Sequence, residues 1–184
     1  MSPIRAGPTA GLPDNCAVTA DDRSDVPTPD AAQPIWAPWR MEYLKGPQPE
    51  GCPLCDALAD DRLILHRGEK AFVIMNLYPY ANGHVMVAPI EHLSEIKDLE
   101  PGMAAEIMDL TIRSMNAIEK VSAPQGFNIG YNLGKAAGAG IDNHIHQHVV
   151  PRWLGDTNFF PVLAGRKTIG EAVQETLDKL KEVF

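Results

Sequence analysis

The sequence predicts an α+β fold in which an antiparallel sheet of four or five strands carries one long helix and a C-terminal helix. Short strand-like runs at 62–67, 71–77 and 84–89 are joined by brief turns, which favours antiparallel pairing. Apolar residues recur at helical spacing from 103 to 118 and again from 169 to 183. Because such helices bury their apolar side, we expect them to pack on the sheet.

The composition excludes several classes of function. The chain has 184 residues and a net charge of −8, so a broad basic surface for duplex DNA or RNA is not expected. No apolar run is long enough to span a membrane, and the N-terminus lacks the apolar core of a signal peptide. Three cysteines do not make a disulfide framework. We therefore predict a cytoplasmic protein with reduced cysteines.

The N-terminal residues 1–33 are predicted to be a disordered acidic tail. They are rich in Pro and Ala and nearly free of large apolar side chains, and they contain Cys16. The folded domain is predicted at 34–184. It begins with a segment, 36–44, in which two tryptophans and a tyrosine expose too much apolar surface to remain in water. Packing in the core or at a subunit contact is the favoured interpretation of this segment.

The first chemically informative motif is Cys52-Pro53-Leu54-Cys55, which is predicted to form a tight turn. A redox dithiol would require a thioredoxin-like βαβ unit, and none follows. Half of a four-ligand zinc site is the better interpretation. The other two ligands must then come from elsewhere in the chain.

The remaining elements follow from turn signals and periodicity. The Asn82-Gly83 turn precedes the third strand, and a short helix is predicted at 93–99 after His92. Pro101 lies near the start of the long helix, which is predicted to end by 121. A strand at 127–133 leads into a loop of small residues at 134–140, which lacks the Gly-Lys-Ser/Thr of a P-loop but lets backbone N–H groups approach a phosphate.

Three of the six histidines, His144, His146 and His148, occupy every second position after this loop. In a β-strand they would line one face. One interpretation is a catalytic metal site with three histidine ligands. In the other, one imidazole attacks phosphorus and its neighbours orient it and hold phosphate oxygens. A solvated polar strand face explains the pattern less well, because branched and aromatic residues are preferred in strands.

The run His144-Ile145-His146-Gln147-His148-Val149-Val150 resembles the motif of the histidine triad (HIT) family, with Gln147 where that family usually has an apolar residue. The resemblance extends over about 35–184 and includes Asn76, Pro89 and Asn132. The segments at 36–40, 132–134 and 150–159 are most similar to bacterial diadenosine tetraphosphate phosphorylases.

The resemblance implies a role for each matched position. His146 would be the nucleophile that takes the nucleotidyl group from the α-phosphate, and His148 would bind phosphate oxygen and assist the leaving group. Asn76 would bind ribose hydroxyls. The phosphates would be contacted by Asn132, Gly140 and Ile141. Many relatives carry Ser or Thr at or beside the last two positions, where this chain has no hydroxyl.

The resemblance also completes the zinc site. It implies that Cys52, Cys55, His92 and His144 hold a structural zinc, with His66 as the alternative ligand. His84 follows the Asn82-Gly83 turn and is interpreted as a structural residue, with a catalytic role as the alternative. No organic cofactor is expected.

The predicted function is therefore cleavage of dinucleoside polyphosphates through a nucleotidyl–His146 intermediate. Phosphorolysis would need inorganic phosphate and a second anion site, for which Lys135 and Arg152 are candidates. The alternative within the family is hydrolysis of AMP phosphoramidates or AMP esters. Alternatives of other classes are a nucleotide-binding protein without turnover and a metal-dependent hydrolase. Family members are typically homodimers, which is the expectation here.

Overall fold

The structure is a computed structural model that describes residues 51–156 and 170–184. The predicted tail at 1–33, Cys16, the start of the domain at 34, the tryptophan-rich segment at 36–44 and the predicted first residue of the C-terminal helix, Ile169, lie outside the described residues. Within the described part of the chain, no helix is both long enough and apolar enough to cross a membrane.

Eight regular elements form the described part of the domain. In chain order they are α1 (Pro53–Ala59), β1 (Ile64–Arg67), β2 (Ala71–Met75), β3 (Val85–Pro89), α2 (Pro101–Ser122), β4 (Gly126–Tyr131), β5 (Gln147–Arg152) and α3 (Val173–Lys181). Short 3-10 turns at Ile96–Asp98 and Lys135–Ala137 interrupt the connections. The α+β prediction is confirmed.

The five strands form one sheet in the order β1-β2-β3-β5-β4, and every neighbouring pair is antiparallel. The strand that carries the histidine motif, β5, is therefore central. Its residue His148 pairs with Met86 on β3 and with Gly130 on β4. Val149 pairs with Val85 on the opposite face of the sheet.

Each face of the sheet has its own apolar cluster. On one face, α2 and α3 pack over strand residues such as Val73, Val87 and Val149. On the other face, Phe72 and Met86 pack with the region around α1, including Cys52 and Leu54. His148 is on this second face, because it is registered with Met86.

The long helix was predicted in outline, and Pro101 occupies its first turn as expected. Its buried residues include Met103, Ile107, Leu110 and Ile118, so the predicted apolar stripe is confirmed at these positions. The C-terminal helix is shorter than predicted, with Leu177 and Leu180 as its buried apolar residues. The predicted helix at 93–99 is reduced to the 3-10 turn.

Two local predictions are wrong. The Cys52–Cys55 motif is not only a turn: Pro53 starts the helix α1 and Cys52 is its N-cap. Proline at a first helical position has no N–H to lose, which explains the start. In addition, the histidine strand starts at Gln147, so His144 and His146 precede it.

Gln147 is the residue of β5 at which this chain departs from the usual family pattern. Its side chain is buried between the sheet and α2, and it lies 2.5 Å from the hydroxyl of Thr111 on α2. That hydroxyl also lies 2.7 Å from the Ile107 carbonyl, to which it donates. The side-chain oxygen of Gln147 and the Ile107 carbonyl are therefore the two acceptors that face the single hydrogen of the Thr111 hydroxyl. β5 is thereby tied to α2 by a polar contact in an otherwise apolar layer.

Replacing Thr111 with Val should destabilise the protein by about 1–3 kcal/mol, because the buried Gln147 amide loses its partner. Urea unfolding followed by circular dichroism measures this change. Thr111→Ser keeps the hydroxyl and is the matched control, with a smaller loss expected. Equal stability of Thr111→Val and the wild type would contradict the assigned hydrogen bond.

Candidate active site and metal centre

The site is built where β5 leaves its pairing with β3. The last registered pair is Val87 with Gln147, and β3 ends two residues later at Pro89. Proline has no N–H to continue the ladder. Instead, the N–H of Ile145 donates to the Leu93 carbonyl at 2.6 Å. The chain at 144–146 is thereby held beside the sheet rather than in it, which is why the three histidines do not share one strand.

His144 belongs to a cluster of four metal-binding side chains. Its Nδ1 lies 3.3 Å from the Sγ of Cys52 and 3.5 Å from the Sγ of Cys55. The Nδ1 of His92 lies 3.4 Å from the Sγ of Cys55. All four ligand atoms lie within 4.8 Å of one another. The structure therefore brings together the four residues predicted as metal ligands.

The separations in this cluster fit a tetrahedral divalent metal. With Zn–S of about 2.3 Å and Zn–N of about 2.0 Å, a tetrahedral site separates sulfur from nitrogen by about 3.5 Å. The Nε2 of the fully buried His144 donates to the Pro89 carbonyl at 2.9 Å. This bond leaves Nδ1 as the unprotonated nitrogen that a metal requires. The four donor atoms and the hydrogen bond from His144 to Pro89 thus fit zinc.

The Cys55 thiol of the metal cluster is protonated near neutral pH. Burial, the hydrogen bond with Cys52 and the nearby negative charges raise the pKa of the Cys55 thiol to about 11. Burial also lowers the pKa of His144, against the effect of its bond to Pro89. Binding of a divalent cation through the Cys55 sulfur would therefore release the proton of that thiol.

His146 is held in the form that can attack phosphorus. Its Nδ1 donates to the backbone carbonyl of His144 at 2.8 Å. The single ring hydrogen of the neutral form is therefore on Nδ1, and Nε2 carries the lone pair. Burial lowers the pKa of His146 below its usual value, and the carbonyl contact offsets this only in part. A neutral imidazole with its Nε2 lone pair available is a nucleophile.

His148 lies against His146, with ring centroids 4.9 Å apart. Its Nδ1 contacts the Nε2 of His84 at 3.0 Å. His84 is fully buried, and its Nδ1 accepts the N–H of Tyr80 at 3.0 Å. The ring of Tyr80 stacks on His84 and lies tilted against His148. His84 therefore supports the site as well as the turn.

The tautomers of this pair follow from the backbone. An N–H can only donate, so the Nδ1 of His84 is unprotonated and its ring hydrogen is on Nε2. That hydrogen is donated to the Nδ1 of His148, whose own hydrogen must then be on Nε2. His146 and His148 consequently carry their hydrogens on opposite nitrogens.

Asn76 gives a second donor to the Nδ1 of His84. Its Oδ1 accepts the N–H of Tyr78 at 2.9 Å, which fixes the orientation of the amide. Its Nδ2 then faces the Nδ1 of His84 at 3.2 Å. The residue predicted to bind ribose thus lies in the same network as His148.

The predicted phosphate-binding residues are partly placed by the structure. The side-chain nitrogen of Asn132 lies 3.3 Å from the Nε2 of His148, and a hydrogen on that Nε2 requires the amide to be turned so that its oxygen is the acceptor. Gly140 is exposed and Ile141 is half-buried, in the loop that leads to His144. The loop packs through Ile141 against the apolar cluster around Cys52.

The two predicted anion ligands are not equivalent. The guanidinium of Arg152 binds both carboxylate oxygens of Asp156, at 2.5 and 2.9 Å, and the side-chain oxygen of Asn128 at 2.5 Å. Its charge is therefore committed to a carboxylate. Lys135 is 85% exposed and pairs with Asp142 at 3.5 Å.

His66 is in a different part of the molecule from the metal cluster. Its Nε2 accepts from Arg113 at 3.4 Å, and its ring packs against Phe184 at the C-terminus. The histidine that joins Cys52, Cys55 and His144 in the cluster is therefore His92 and not His66, which was the alternative ligand.

The sequence interpretation did not identify Tyr80, whose N–H binds His84, or Thr111, which binds Gln147. It also did not predict the contact between His84 and His148. The spacing of His84 after Asn82-Gly83 indicated a turn, but it carried no signal for a contact 64 residues away. The role of Tyr80 depends on its backbone N–H, which no side-chain pattern reveals.

Nitrogen-15 NMR of the imidazoles at neutral pH should show the Nδ1–H tautomer for His146, because its Nδ1 donates to a carbonyl. It should show the Nε2–H tautomer for His84 and His148, because the Nδ1 of each accepts a hydrogen bond. Single histidine-to-asparagine variants assign the signals, and His66→Asn is the control for an unrelated ring. A His148 signal with its hydrogen on Nδ1 would contradict the hydrogen-bond chain.

The chain was compared with known proteins. A sequence model of the HIT domain matches residues 59–153. An AP-4-A phosphorylase of Mycobacterium tuberculosis is 39% identical over 159 residues, covering 80% of this chain and 82% of the relative. A bis(5'-nucleosyl)-tetraphosphatase (asymmetrical) of Schizosaccharomyces pombe is 31% identical over 93 residues, half of each chain.

Solved structures agree with the sequence comparison. A Zn-bound histidine triad family protein from Mycobacterium smegmatis superimposes with a TM-score of 0.60 at 28% identity, covering 72% of this chain and 92% of that one. The sequence match, the shared fold and the intact triad lead to one conclusion: the chain belongs to the HIT domain family.

Proposed function

We propose that this protein is an enzyme that cleaves dinucleoside polyphosphates, with phosphorolysis of diadenosine tetraphosphate as its reaction. The observation that carries the proposal is the orientation of His146, whose Nδ1 hydrogen is bound by the His144 carbonyl and whose Nε2 lone pair is thereby available. The AP-4-A phosphorylase relative supports the choice of substrate, since the match extends over most of both chains.

In the proposed first step, the Nε2 lone pair of His146 attacks the α-phosphorus. A nitrogen–phosphorus bond forms, the bond from phosphorus to the bridging oxygen breaks, and the electron pair leaves with ATP. Throughout this step, the Nδ1 hydrogen of His146 stays bound to the His144 carbonyl, which stabilises the positive charge on the ring. The Nε2–H of His148 donates to a phosphate oxygen.

In the proposed second step, an oxygen of inorganic phosphate attacks the adenylyl phosphorus of the intermediate. The nitrogen–phosphorus bond breaks, its electron pair returns to Nε2 of His146, and ADP is released. Lys135 is the better candidate of the two predicted anion ligands, because its ammonium is largely exposed whereas Arg152 is bound by Asp156. The assignment of Lys135 as the residue that binds inorganic phosphate, so that phosphate and not water is the acceptor, stays a prediction.

Asn76 and Asn132 are proposed to bind the nucleotide beside these histidines. The amide of Asn76 has two hydrogens on nitrogen and two lone pairs on oxygen, and its contacts with His84 and Tyr78 use one of each. The remaining hydrogen and lone pair can bind ribose hydroxyls. For Asn132, the proposed phosphate contact is supported by its position at the Nε2 of His148. Gly140 and Ile141 are proposed to contribute backbone N–H groups.

A metal-dependent hydrolase using the histidine triplet is disfavoured by the geometry. Among the described residues, the group of side chains that can hold a metal includes His144 but neither His146 nor His148. A nucleotide-binding protein without turnover is the remaining alternative of another class. The cytoplasmic location and the homodimer also stay predictions; the half-exposed Met108 and Ile112 on α2 support a subunit contact.

Product analysis tests the proposed function directly. Diadenosine tetraphosphate with inorganic phosphate should give ATP plus ADP, and without phosphate it should give neither. His146→Ala should lower the rate by at least about 10³-fold, because the nucleophile is removed. Chromatography of the nucleotides measures both results. His66→Ala, which changes a histidine outside the site, should keep the wild-type rate.

The alternative outcomes are informative. ATP plus AMP without phosphate would make water the acceptor and the protein a hydrolase. Retention of most activity in a folded His146→Ala variant would exclude His146 as the nucleophile. Nucleotide binding without any product would favour the protein without turnover.

We further propose that Cys52, Cys55, His92 and His144 hold a structural zinc. The fit of the separations and the bond from His144 to Pro89 support this assignment. A zinc there would cross-link the start of α1 to the segment before β5 and would thereby stabilise the position of the His144 carbonyl.

Freshly purified protein should contain about one zinc per chain, measured by inductively coupled plasma mass spectrometry. His92→Ala should lose most of this zinc, and its melting temperature should fall because the cross-link is lost. His66→Ala is the matched control and should keep the metal. Full zinc content in His92→Ala would show that the ligand set is wrong.

A further inference from the structure

The turn that precedes His84 is bound by polar side chains at the start of α3. The hydroxyl of Thr176 lies 3.3 Å from the Oδ1 of Asn82 and 2.6 Å from a carboxylate oxygen of Glu171. The amide of Asn82 and the ammonium of Lys179 also donate to the Glu171 carboxylate. An amide, a hydroxyl and an ammonium thus converge on one carboxylate. These four residues are called the α3 cluster below.

The Glu171 carboxylate keeps its charge throughout the neutral pH range. Its bonds with Lys179 and Thr176, and to a smaller extent with Asn82, lower the pKa of this carboxyl to about 2. A carboxylate accepts hydrogen bonds and donates none when it is ionised. The orientation of the Asn82 amide is therefore fixed, with its nitrogen towards Glu171.

The helix α3 does not need the α3 cluster in order to dock on the sheet. Leu177 and Leu180 are buried in the apolar cluster that α3 shares with the sheet and α2. At the other end of the helix, the ring of Phe184 packs against His66 and Arg113. The ion pair of the α3 cluster includes a half-exposed ammonium, and such pairs add little stability. The contacts of Asn82 therefore hold the turn more than they hold the helix.

The turn is short and transmits the position of Asn82 to His84. The N–H of His84 donates to the Ala81 carbonyl at 3.2 Å, which closes the turn around Asn82 and Gly83. Gly83 is buried at a φ of 76°, and a side chain on it would contact Pro151 and Ile118. Because Gly83 is enclosed between β5 and α2, a displaced Asn82 moves the backbone of His84.

His84 in turn contacts the histidine site. Its Nδ1 accepts the N–H of Tyr80 at 3.0 Å, and its Nε2 lies 3.0 Å from the Nδ1 of His148. The ring of His84 is fully buried, so it cannot adjust independently of its backbone. The ring of His148 packs against that of His146 at 4.9 Å. A movement of the turn is therefore passed on to His148.

We propose that Asn82, Glu171 and Thr176 are positioning residues, which hold the turn from which His84 sets the orientation of His148. None of the three contacts the histidines of the site directly in the described part of the chain. Their effect on the reaction rate rests on the proposed function. Their effect on the histidine rings does not, because it follows from the contacts alone.

Asn82→Asp is the most specific perturbation of the α3 cluster. The side chain keeps its shape, and Asp-Gly is as suitable for the turn as Asn-Gly. However, the substitution places a second carboxylate against that of Glu171, and the like charges repel. The kcat for diadenosine tetraphosphate should fall about 10- to 100-fold, with KM changed by less than about threefold, because the substrate contacts remain. The nitrogen-15 signals of His84 and His148 should shift in the substrate-free protein.

Combining Asn82→Asp with Glu171→Gln should rescue the enzyme. The introduced glutamine amide can donate to the introduced carboxylate, so the hydrogen bond forms again with its polarity reversed. The double variant should regain a kcat within about threefold of the wild type, and the signals of His84 and His148 should return. Glu171→Gln alone should lower kcat less than Asn82→Asp, because the glutamine oxygen can still accept from Asn82.

Phe184→Ala is the matched control, because it loosens the far end of α3 and leaves the α3 cluster intact. Its melting temperature, followed by circular dichroism, should fall, while kcat and the signals of His84 and His148 should stay as in the wild type. A loss of kcat as large as that of Asn82→Asp would show that only helix docking matters. Unchanged kcat and unchanged imidazole signals in Asn82→Asp would also overturn the inference.

Failure of the inference is distinguishable from failure of the proposed function. If diadenosine tetraphosphate is inert with the wild type, the proposed function fails, and the shift and return of the imidazole signals still support the positioning of His148. If diadenosine tetraphosphate is cleaved and the double variant recovers neither kcat nor the signals, the inference fails and the proposed function stands.

Discussion

The early end of the β3–β5 ladder is the constraint on which the site depends. Pro89 cannot donate a hydrogen bond, so the segment before Gln147 is released from the sheet and is bound instead by the Leu93 carbonyl. The Pro89 carbonyl accepts from His144, and the His144 carbonyl accepts from His146. The proposed metal site and the proposed site of attack on phosphorus are thereby built from three alternating histidines.

The positions of the ring hydrogens on His146 and His148, the two proposed catalytic residues, depend on the group that faces each Nδ1. A carbonyl faces the Nδ1 of His146 and leaves that ring with a nucleophilic lone pair. An N–H faces the Nδ1 of His148 and leaves that ring with a donor. Identical side chains two residues apart are thus made chemically opposite by their surroundings, as pairs of titratable groups are in many active sites. The proton position on His148 is set ultimately by the backbone of Tyr80.

Much of the fold could be predicted from the sequence because its signals are local. The stripe of α2, the position of Pro101 and the turns between β1, β2 and β3 need only neighbouring residues. The start of β5 at Gln147 could not be predicted, because it depends on the missing N–H of Pro89, which is on the neighbouring strand and far away in the sequence. Helix α1 was missed because seven residues are too few for a clear apolar period.

His144 has two separate functions in this structure. Its side chain belongs to the metal cluster, while its carbonyl binds the nucleophile. Substitutions in the cluster and substitutions around His146 therefore act on one shared residue, and their effects should not add. The position of the two cysteines is therefore linked to the orientation of the His146 ring through the backbone of His144.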